Sequence, residues 1–211
     1  MNITVFLGAP GSGKGTQAKR LAESQNFIHF STGDMLRSAM KAETDVGKKA
    51  KGFVDKGDLV PDNVMIELIE AALTGIPNNT KIILDGFPRT VPQAEALDQK
   101  ISTAVNRALY FLVPEKDLIT RLTGRRVCEK CGEPYHVESL PPKKEGVCDK
   151  CGGNVIHRKD DSAEVVGHRL QVFHKLTSPL LSYYKTKNRL KELDGNRPID
   201  TLQKELVQIL N

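Results

Sequence analysis

A glycine-rich segment near the start of the chain has the composition of a phosphate-binding loop. It reads Gly8-Ala9-Pro10-Gly11-Ser12-Gly13-Lys14-Gly15-Thr16 and follows a short apolar run at residues 3–7. Glycines let backbone N–H groups turn toward phosphate oxygens, and the N-terminus of the helix expected next adds partial positive charge. Lys14 adds a mobile full charge. The segment therefore predicts a nucleotide phosphate site. A glycine-rich turn without a ligand is disfavoured, because Lys14 and the preceding strand occur together.

Two features near this loop bear on a magnesium ion. In the common pattern a hydroxyl residue follows the lysine directly, whereas here Gly15 precedes Thr16, which weakens the case for ligation by that hydroxyl. The apolar run at residues 82–84 ends in Asp85. By analogy with other sites of this type, Asp85 should lie beside the loop and hold Mg²⁺ through water. An aspartate at a strand end can also be a turn residue.

Four cysteines form two pairs with the spacing of a metal site. Sixteen residues separate the pair Cys128 and Cys131 from the pair Cys148 and Cys151, and a glycine follows each pair. Four thiolates fill a tetrahedron and leave no position for water, so the pattern predicts a structural zinc ion. Spacing alone leaves an iron cluster, disulfides or unligated thiols open.

Composition excludes several classes of protein. The 211 residues are 39% hydrophobic and 27% charged, which is close to the globular average and unlike fibrous or disordered chains. No apolar stretch approaches the ~20 residues of a membrane span, and no basic segment of a signal peptide is visible. We therefore expect a cytoplasmic protein without a membrane partner, in which thiols more often bind metal than form disulfides. The net charge of +5 fits either a nucleic-acid surface or a pocket for a phosphorylated small molecule.

Short apolar runs alternate with segments of helical spacing along the chain. This order predicts an α/β fold in which helices cover both faces of a parallel sheet. The predicted strands are residues 3–7, 27–30, 81–85, 107–113 and, with a weaker pattern, 189–193. The predicted helices are Lys14 to Gln25, Asp34 to Lys41 after the capping candidates Ser31 and Thr32, Val46 to Lys56 before Gly57, and one that begins at Pro61.

Two stretches interrupt this alternation. Residues 31–60 hold helices without an intervening strand, and residues 124–161 are rich in Cys, Gly, Pro and charge. Insertions of this kind between core elements indicate movable flaps rather than core. The second has so little apolar content that it needs a crosslink such as the metal site to fold.

Six cations recur beside glycines, acids or turn signals. A single arginine is most often a solvated surface residue, but these six occur within a recognisable set of motifs. The cations are Lys14, Arg37, Arg89, Arg125, Arg158 and Arg169. The motifs are Ser31-Thr32-Gly33-Asp34-Met35-Leu36-Arg37, Asp85-Gly86-Phe87-Pro88-Arg89-Thr90 with Gln93, Leu122-Thr123-Gly124-Arg125-Arg126, and Arg158-Lys159-Asp160-Asp161 with Arg169-Leu170.

With these motifs in this order the sequence resembles adenylate kinase, of the type whose long lid carries zinc. The resemblance extends from Gly8 to the turn around Arg197. It implies a P-loop three-layer fold with a five-stranded parallel sheet, a helical monophosphate-binding insertion and a zinc-binding lid insertion. The implied domains are a core of residues 1–30, 61–123 and 162–211, a monophosphate-binding flap of residues 31–60 and an ATP lid of residues 124–161.

The resemblance also implies roles for individual residues. The catalytic cations would be Lys14, Arg89, Arg125, Arg158 and Arg169. ATP would contact Gly11, Ser12, Gly13, Lys14, Gly15, Thr16, Arg125, Pro134, Tyr135 and Arg197. AMP would contact Thr32, Arg37, Asp58, Leu59, Val60, Gly86, Phe87, Pro88, Arg89, Gln93, Arg158 and Arg169. The Gln93 amide both donates and accepts, as does the Watson–Crick edge of adenine.

The implied activity is reversible phosphoryl transfer from Mg-ATP to AMP, giving two ADP. The implied cofactors are Mg²⁺ and a structural Zn²⁺, the partners are ATP, AMP and ADP, and the expected state is a monomer. Another monophosphate kinase, acting on CMP, UMP or GMP, is the main alternative because a phosphate grip is indifferent to the base. A nucleic-acid-binding protein with zinc knuckles is disfavoured, since aromatic residues for base stacking are scarce at 5%. A regulatory GTPase is also disfavoured, because the sequence contains no Asn-Lys-x-Asp or Thr-Lys-x-Asp motif to read guanine.

Overall fold

The computed structural model describes residues 1–100 and 105–210, and two β-sheets lie in this part of the chain. The larger has five parallel strands in the order β2-β3-β1-β4-β8, and the smaller has three antiparallel strands in the order β6-β5-β7. The strands are β1 Asn2–Leu7, β2 Ile28–Ser31, β3 Lys81–Asp85, β4 Arg107–Leu112, β5 Arg125–Cys128, β6 Pro134–His136, β7 Val155–Ile156 and β8 Leu190–Asp194.

The five-stranded parallel sheet confirms the predicted fold class. The central strands β1 and β3 are buried at most positions because both of their faces are covered. The predicted weak strand at 189–193 is β8, which lies at the edge of the sheet and is largely exposed or half-buried. Its position explains why its apolar pattern was faint.

Helices pack on both faces of this sheet. On one face α4, α5 and α8 cover Ile3, Val5 and Ile82, while on the other α1 and α9 cover Phe6 and Ile83. The helices are α1 Lys14–Gln25, α2 Thr32–Lys41, α3 Asp45–Lys56, α4 Asp62–Leu73, α5 Val91–Lys100, α6 Glu115–Thr123, α7 Ala163–Val172, α8 Pro179–Thr186 and α9 Ile199–Leu210, with a 3₁₀ turn at Lys159–Asp161 and a π-helical turn at Phe173–Thr177. Among the described residues, none of these helices has the length and apolarity needed to cross a membrane.

Local signals explain where the flap helices begin and end. The Ser31 hydroxyl accepts a hydrogen bond from the Asp34 N–H and caps α2, whereas the other predicted cap, Thr32, is the first residue of that helix. Thr44 caps α3 through the Gly47 N–H, and Gly57 ends α3 with a positive φ of 81°. The predicted helices of this insertion are therefore present, with boundaries one or two residues earlier.

The insertion at residues 124–161 contains the small antiparallel sheet. Strand β5 pairs with β6 through Val127 and Pro134 and with β7 through Cys128 and Val155. Sequence patterning did not reveal these strands, because they are two to four residues long and alternate with turns. We call this insertion the lid and the segment 31–60 the flap. The domain boundaries themselves stay predictions.

The packing of α2 on α3 generates a stability prediction. A Cβ added to Gly47 would lie 2.1 Å from the carbonyl oxygen of Ala39 and 2.6 Å from the backbone nitrogen of Met40. Backbone atoms cannot move aside cheaply, so Gly47→Ala should destabilise the protein by about 1–3 kcal/mol. Thermal unfolding measures the change.

The matched control lies in the same helix. A Cβ at the exposed Gly52 meets no heavy atom within 4 Å, and alanine is a better helix former than glycine by roughly 0.5–1 kcal/mol. Gly52→Ala should therefore leave the melting temperature unchanged or raise it. Equal melting temperatures for the two variants would contradict the predicted contact.

Candidate active site

A cleft of about 1520 Å³ lies at the carboxyl ends of strands β1 and β3, between the phosphate loop, the flap and the lid. In parallel α/β sheets this end of the strands is where ligands bind. The six cations singled out in the sequence all border the cleft. The fold therefore brings together side chains that are up to 155 positions apart, from Lys14 to Arg169.

The phosphate loop has the backbone conformation that its glycines predict. Gly11 has a φ of 83°, and a Cβ there would lie 2.9 Å from the side chain of Leu122. Gly13, with a φ of 90°, precedes α1, so the first N–H groups of that helix border the cleft at Lys14. A helix N-terminus with its unpaired N–H groups is an anion site.

Lys14 is held against the loop that precedes it. Its Nζ donates to the carbonyl oxygens of Gly8 (2.7 Å) and Ala9 (2.9 Å) and to the Ser12 hydroxyl (3.1 Å). Burial lowers the pKa of Lys14 to about 8, nearby arginines add to the shift, and Asp85 opposes it. A phosphate oxygen would offer this ammonium a charged partner in place of neutral ones.

Asp85 lies beside the phosphate loop, as predicted. Strand β3 places it next to Phe6 of β1, and a Cβ on Gly15 would lie 3.2 Å from its Oδ2. The glycine after Lys14 therefore leaves room for this carboxylate. Burial would raise the pKa of Asp85, but the neighbouring His29, at 3.5 Å, and the charge of Lys14 outweigh it and lower that pKa. An ionised carboxylate here fits a magnesium site.

Three arginines of the cleft are fixed by two adjacent acids. Arg125 binds Asp161 with two hydrogen bonds (2.7 and 2.5 Å), and Arg169 reaches the same carboxylate at 2.9 Å. Arg158 binds Asp160 through two nitrogens (3.1 and 2.8 Å). Asp161 is fully buried. The roles of these acids were missed from the sequence, where two consecutive carboxylates between cationic motifs were the available signal.

The cations are close enough to perturb one another. Burial lowers the pKa of Arg169 to about 10, and repulsion from Arg125 and Arg158 adds to the shift. Burial would raise the pKa of Asp160, but Arg158 and Arg169 hold it well below its usual range. The cleft thus concentrates positive charge in a partly desolvated site, which favours a polyanionic ligand.

The flap side of the cleft holds the residues that the resemblance places around AMP. Arg37 is paired with Asp34, and the Arg89 Nε donates to the Gly86 carbonyl at 2.8 Å. The predicted residues that border the cleft here are Thr32, Arg37, Asp58, Leu59, Val60, Gly86, Pro88, Arg89 and Gln93. The side chain of Phe87 is instead buried in the core, in the cluster under α4 and α5.

The lid holds the four cysteines as one cluster. Their sulfur atoms all lie within 4.8 Å of one another, with Cys128 and Cys151 3.5 Å apart and Cys131 and Cys148 3.6 Å apart. A tetrahedral site with Zn–S bonds of about 2.3 Å has S···S edges of ~3.8 Å. The thiols are free, not bonded in disulfides. The cluster therefore fits a four-coordinate metal ion.

Two of the residues expected around ATP have other contacts. The Tyr135 ring is buried in the lid, where its hydroxyl donates to the Cys148 sulfur (3.4 Å) and accepts from the Asp149 N–H (2.8 Å). The Arg197 guanidinium pairs with Glu205 at 2.7 Å. Both residues, like Pro134, border the cleft. Their contribution to ATP binding stays a prediction, and the hydroxyl of Tyr135 belongs to the cysteine cluster.

Ion pairs join the lid and the flap to the core. Lys19 of α1 pairs with Glu133 at 2.7 Å, and Glu23 of the same helix pairs with Lys150 at 2.5 Å. On the other side Asp58 lies 2.6 Å from the His168 Nε2 on α7. In this conformation both insertions cover the cleft.

The fold and the site together define a class. A phosphate loop and a cluster of arginines that border one cleft of a parallel α/β sheet are characteristic of a P-loop phosphotransferase.

The family model described as adenylate kinase matches residues 6–189. The chain is 46% identical to the adenylate kinase of Lachnospira eligens over 98% of both chains. It is 48% identical to that of Chloroherpeton thalassium over 100% of this chain and 98% of the relative. The chain belongs to the adenylate kinase family.

The cysteine cluster generates a metal prediction. Purified protein should contain about one zinc ion per chain, and Cys148→Ser should lose most of it, because three thiolates hold the ion less tightly than four. The melting temperature should fall far more than turnover at moderate temperature. Metal analysis, calorimetry and an activity assay measure the three quantities.

The control for this variant is Ser139→Ala, which changes an exposed lid residue and keeps all four thiols. It should retain the metal and the melting temperature. Metal-free wild-type protein with the same stability as the metal-loaded form would refute a structural metal.

Proposed function

We propose that this chain transfers a phosphoryl group reversibly from Mg-ATP to AMP, giving two ADP. The observation that carries the proposal is one cleft whose lining combines two sets of phosphate-binding groups. The loop with Lys14 forms one set, Arg37 and Arg89 on the flap side form the other, and the arginines of the lid and α7 border the same cleft. Two substrates bound by their phosphates in this cleft would present those phosphates to each other. Membership of the adenylate kinase family supports the proposal.

The donor ATP binds with its phosphates in the loop at residues 11–16. The helix N-terminus and Lys14 hold the phosphate oxygens, and Arg125 of the lid contacts them from the opposite side. Pro134, Tyr135 and the backbone around Arg197 border the base and ribose. Support for this assignment comes from the cleft lining, which includes all of these residues.

The acceptor AMP binds on the flap side. Arg37 and Arg89 hold its phosphate, and Gln93 reads the base. Thr32, the backbone of residues 58–60 and the turn at residues 86–88 enclose the nucleotide, with the Phe87 side chain anchoring that turn in the core. Arg158 and Arg169 contact both phosphate groups.

Charge and position account for the chemistry. The acceptor is a phosphate oxygen that is already largely ionised near pH 7, so transfer needs no general base. Arginine forks bind two phosphate oxygens at a time, which fixes the in-line arrangement and stabilises charge on the moving group. Closure of lid and flap excludes water that would otherwise accept the phosphoryl group.

The metal ions have separate roles. Asp85 would hold Mg²⁺ through water, and the ion would supply positive charge that neutralises the ATP phosphates. The metal in the four-cysteine cluster is zinc, and it stabilises the lid.

The flap of residues 31–60 and the lid of residues 124–161 move relative to the core during each cycle. The protein is a cytoplasmic monomer that uses nucleotides and needs neither nucleic acid nor membrane.

A panel of monophosphates tests the proposed reaction. With Mg-ATP as donor, AMP should be used at least ~100-fold more efficiently than CMP, UMP or GMP, because a mismatched base leaves the remaining donor and acceptor of the buried Gln93 amide without partners. The measurement is kcat/KM for each acceptor. Equal or better use of another monophosphate would overturn the assignment of AMP.

The lowered pKa of Lys14 generates a pH prediction. As the pH rises through about 8 the free protein loses this charge, so the Kd for Mg-ATP should rise about tenfold between pH 7 and 9. The same titration acts oppositely on folding. The unfolded chain holds this proton more tightly, so this group makes the protein more stable as the pH rises from about 8 toward 10.5.

Titration calorimetry at pH 7, 8 and 9 measures the binding constant. Lys14→Arg is the control, because arginine keeps its charge throughout this range. Its affinity should be lower but independent of pH. A pH-independent wild type would contradict the assigned role of Lys14.

A further inference from the structure

The amide of Gln93 is held from two sides in one orientation. Its Oε1 accepts from the backbone N–H of Arg89 at 2.7 Å, and its Nε2 donates to the Asp62 Oδ1 at 2.7 Å. A backbone N–H can only donate and a carboxylate can only accept. The two partners therefore decide which end of the amide is oxygen. A flipped amide would place its oxygen against the carboxylate and its NH₂ against the Arg89 N–H.

Asp62 is itself fixed in place. It begins α4, where the helix N-terminus favours negative charge. Its Oδ2 accepts from the Thr90 hydroxyl at 3.1 Å, and that hydroxyl accepts from the backbone N–H of Gln93 at 3.2 Å. Asp62, Thr90 and Gln93 thus form a closed ring of hydrogen bonds. Gln93 borders the cleft, whereas Asp62 is not among the residues lining it.

Counting hydrogen-bonding capacity shows what Gln93 can still offer. The amide has two lone pairs and two N–H groups, and Arg89 and Asp62 use one of each. One lone pair and one N–H remain, at defined ends of the side chain. A base that meets both must present a donor opposite the oxygen and an acceptor opposite the nitrogen.

Purines with different substituents at position 6 differ in this respect. A 6-aminopurine presents a donor at its exocyclic nitrogen and an acceptor at N1, whereas a 6-oxopurine presents an acceptor at its oxygen and a donor at N1. The two patterns are reversed in space. A freely flipping glutamine could match either of them, but a glutamine held in one orientation matches only one.

We propose that Asp62 is a specificity-determining positioning residue, which locks the Gln93 amide in the orientation that accepts 6-aminopurine monophosphates and rejects 6-oxopurine monophosphates. The proposal rests on the proposed function, in which Gln93 reads the acceptor base. Asp62 acts through Gln93 and does not touch the nucleotide. Its carboxylate makes the flipped state repulsive, a constraint that a neutral residue cannot impose.

The sharpest probe is the pair AMP and IMP, which have the same size and differ only in this edge. For wild-type protein we expect kcat/KM for AMP to exceed that for IMP by at least ~100-fold. Asp62→Asn keeps the shape of the side chain but can donate or accept, so it removes one of the two contacts that oppose the flipped amide, while the Arg89 N–H still opposes it. The AMP:IMP ratio should fall about tenfold. The change should appear mainly in KM, because base contacts hold ground state and transition state alike.

Three further variants make the result decisive. Gln93→Leu should abolish the discrimination, and Thr90→Val, a smaller change that also loosens Asp62, should lower the ratio about threefold. Asp98→Asn is the matched control. Asp98 lies on α5, the helix that carries Gln93, but it accepts hydrogen bonds from Tyr183, Lys187 and Arg189 rather than from Gln93. It should keep the wild-type ratio.

Each outcome has a distinct meaning. A wild-type protein that does not phosphorylate AMP would overturn the proposed function. If AMP is phosphorylated but Gln93→Leu keeps the AMP:IMP ratio, or both Asp62→Asn and Thr90→Val keep it, the inference fails while the proposed function stands. A lowered ratio in Asp62→Asn and Thr90→Val, with the control unchanged, supports the lock.

Discussion

Mutual repulsion among the cations of the cleft is the constraint on which the rest of this structure depends. Six positive side chains share a site that is partly removed from water, and burial, followed by repulsion from neighbouring arginines, lowers the pKa of Lys14 and Arg169. Such a cluster persists only if acids offset it and geometry fixes it. Asp160 and Asp161 do both, because their carboxylates bind Arg125, Arg158 and Arg169 and hold each guanidinium in one orientation.

The remaining architecture supplies the cations to one place. Parallel strands end at the same edge of the sheet, so the loop after β1 and the carboxylate after β3 lie side by side. Glycines permit this closeness at Gly11, where a Cβ would meet Leu122, and at Gly15, where it would meet Asp85. The flap contributes Arg37 from a capped helix, and the lid contributes Arg125 and Arg158. No single element could hold so much charge alone.

The sequence predicted the parts of this structure that local chemistry determines. The glycine-rich turn before a helix, the grouping of the four cysteines and the apolar strands each follow from a few neighbouring residues, and the structure contains the turn, the cluster and the sheet. What the sequence could not show are contacts between distant side chains. The Tyr135 hydroxyl contacts Cys148 and the Phe87 ring lies in the core, because burying an aromatic ring is more favourable than exposing it in the cleft. The sequence pattern did not predict the short strands of the lid, because they are two to four residues long and turns separate them.

Closure of the lid depends on residues that the cysteine cluster itself positions. Glu133 follows Cys131 by two residues and Lys150 lies between Cys148 and Cys151, and these two side chains pair with Lys19 and Glu23 of α1. The turns that bring the four thiols together thus also direct the charges that meet the core. The Lys150–Glu23 pair is exposed and the Lys19–Glu133 pair is half-buried, and ion pairs that water can reach are individually weak. Contacts of this kind suit the proposed function, in which the lid covers the nucleotides and then releases them, whereas an apolar seam of equal area would hold it shut. With a metal ion in the cluster, the lid would be rigid within itself and still loosely attached to the core.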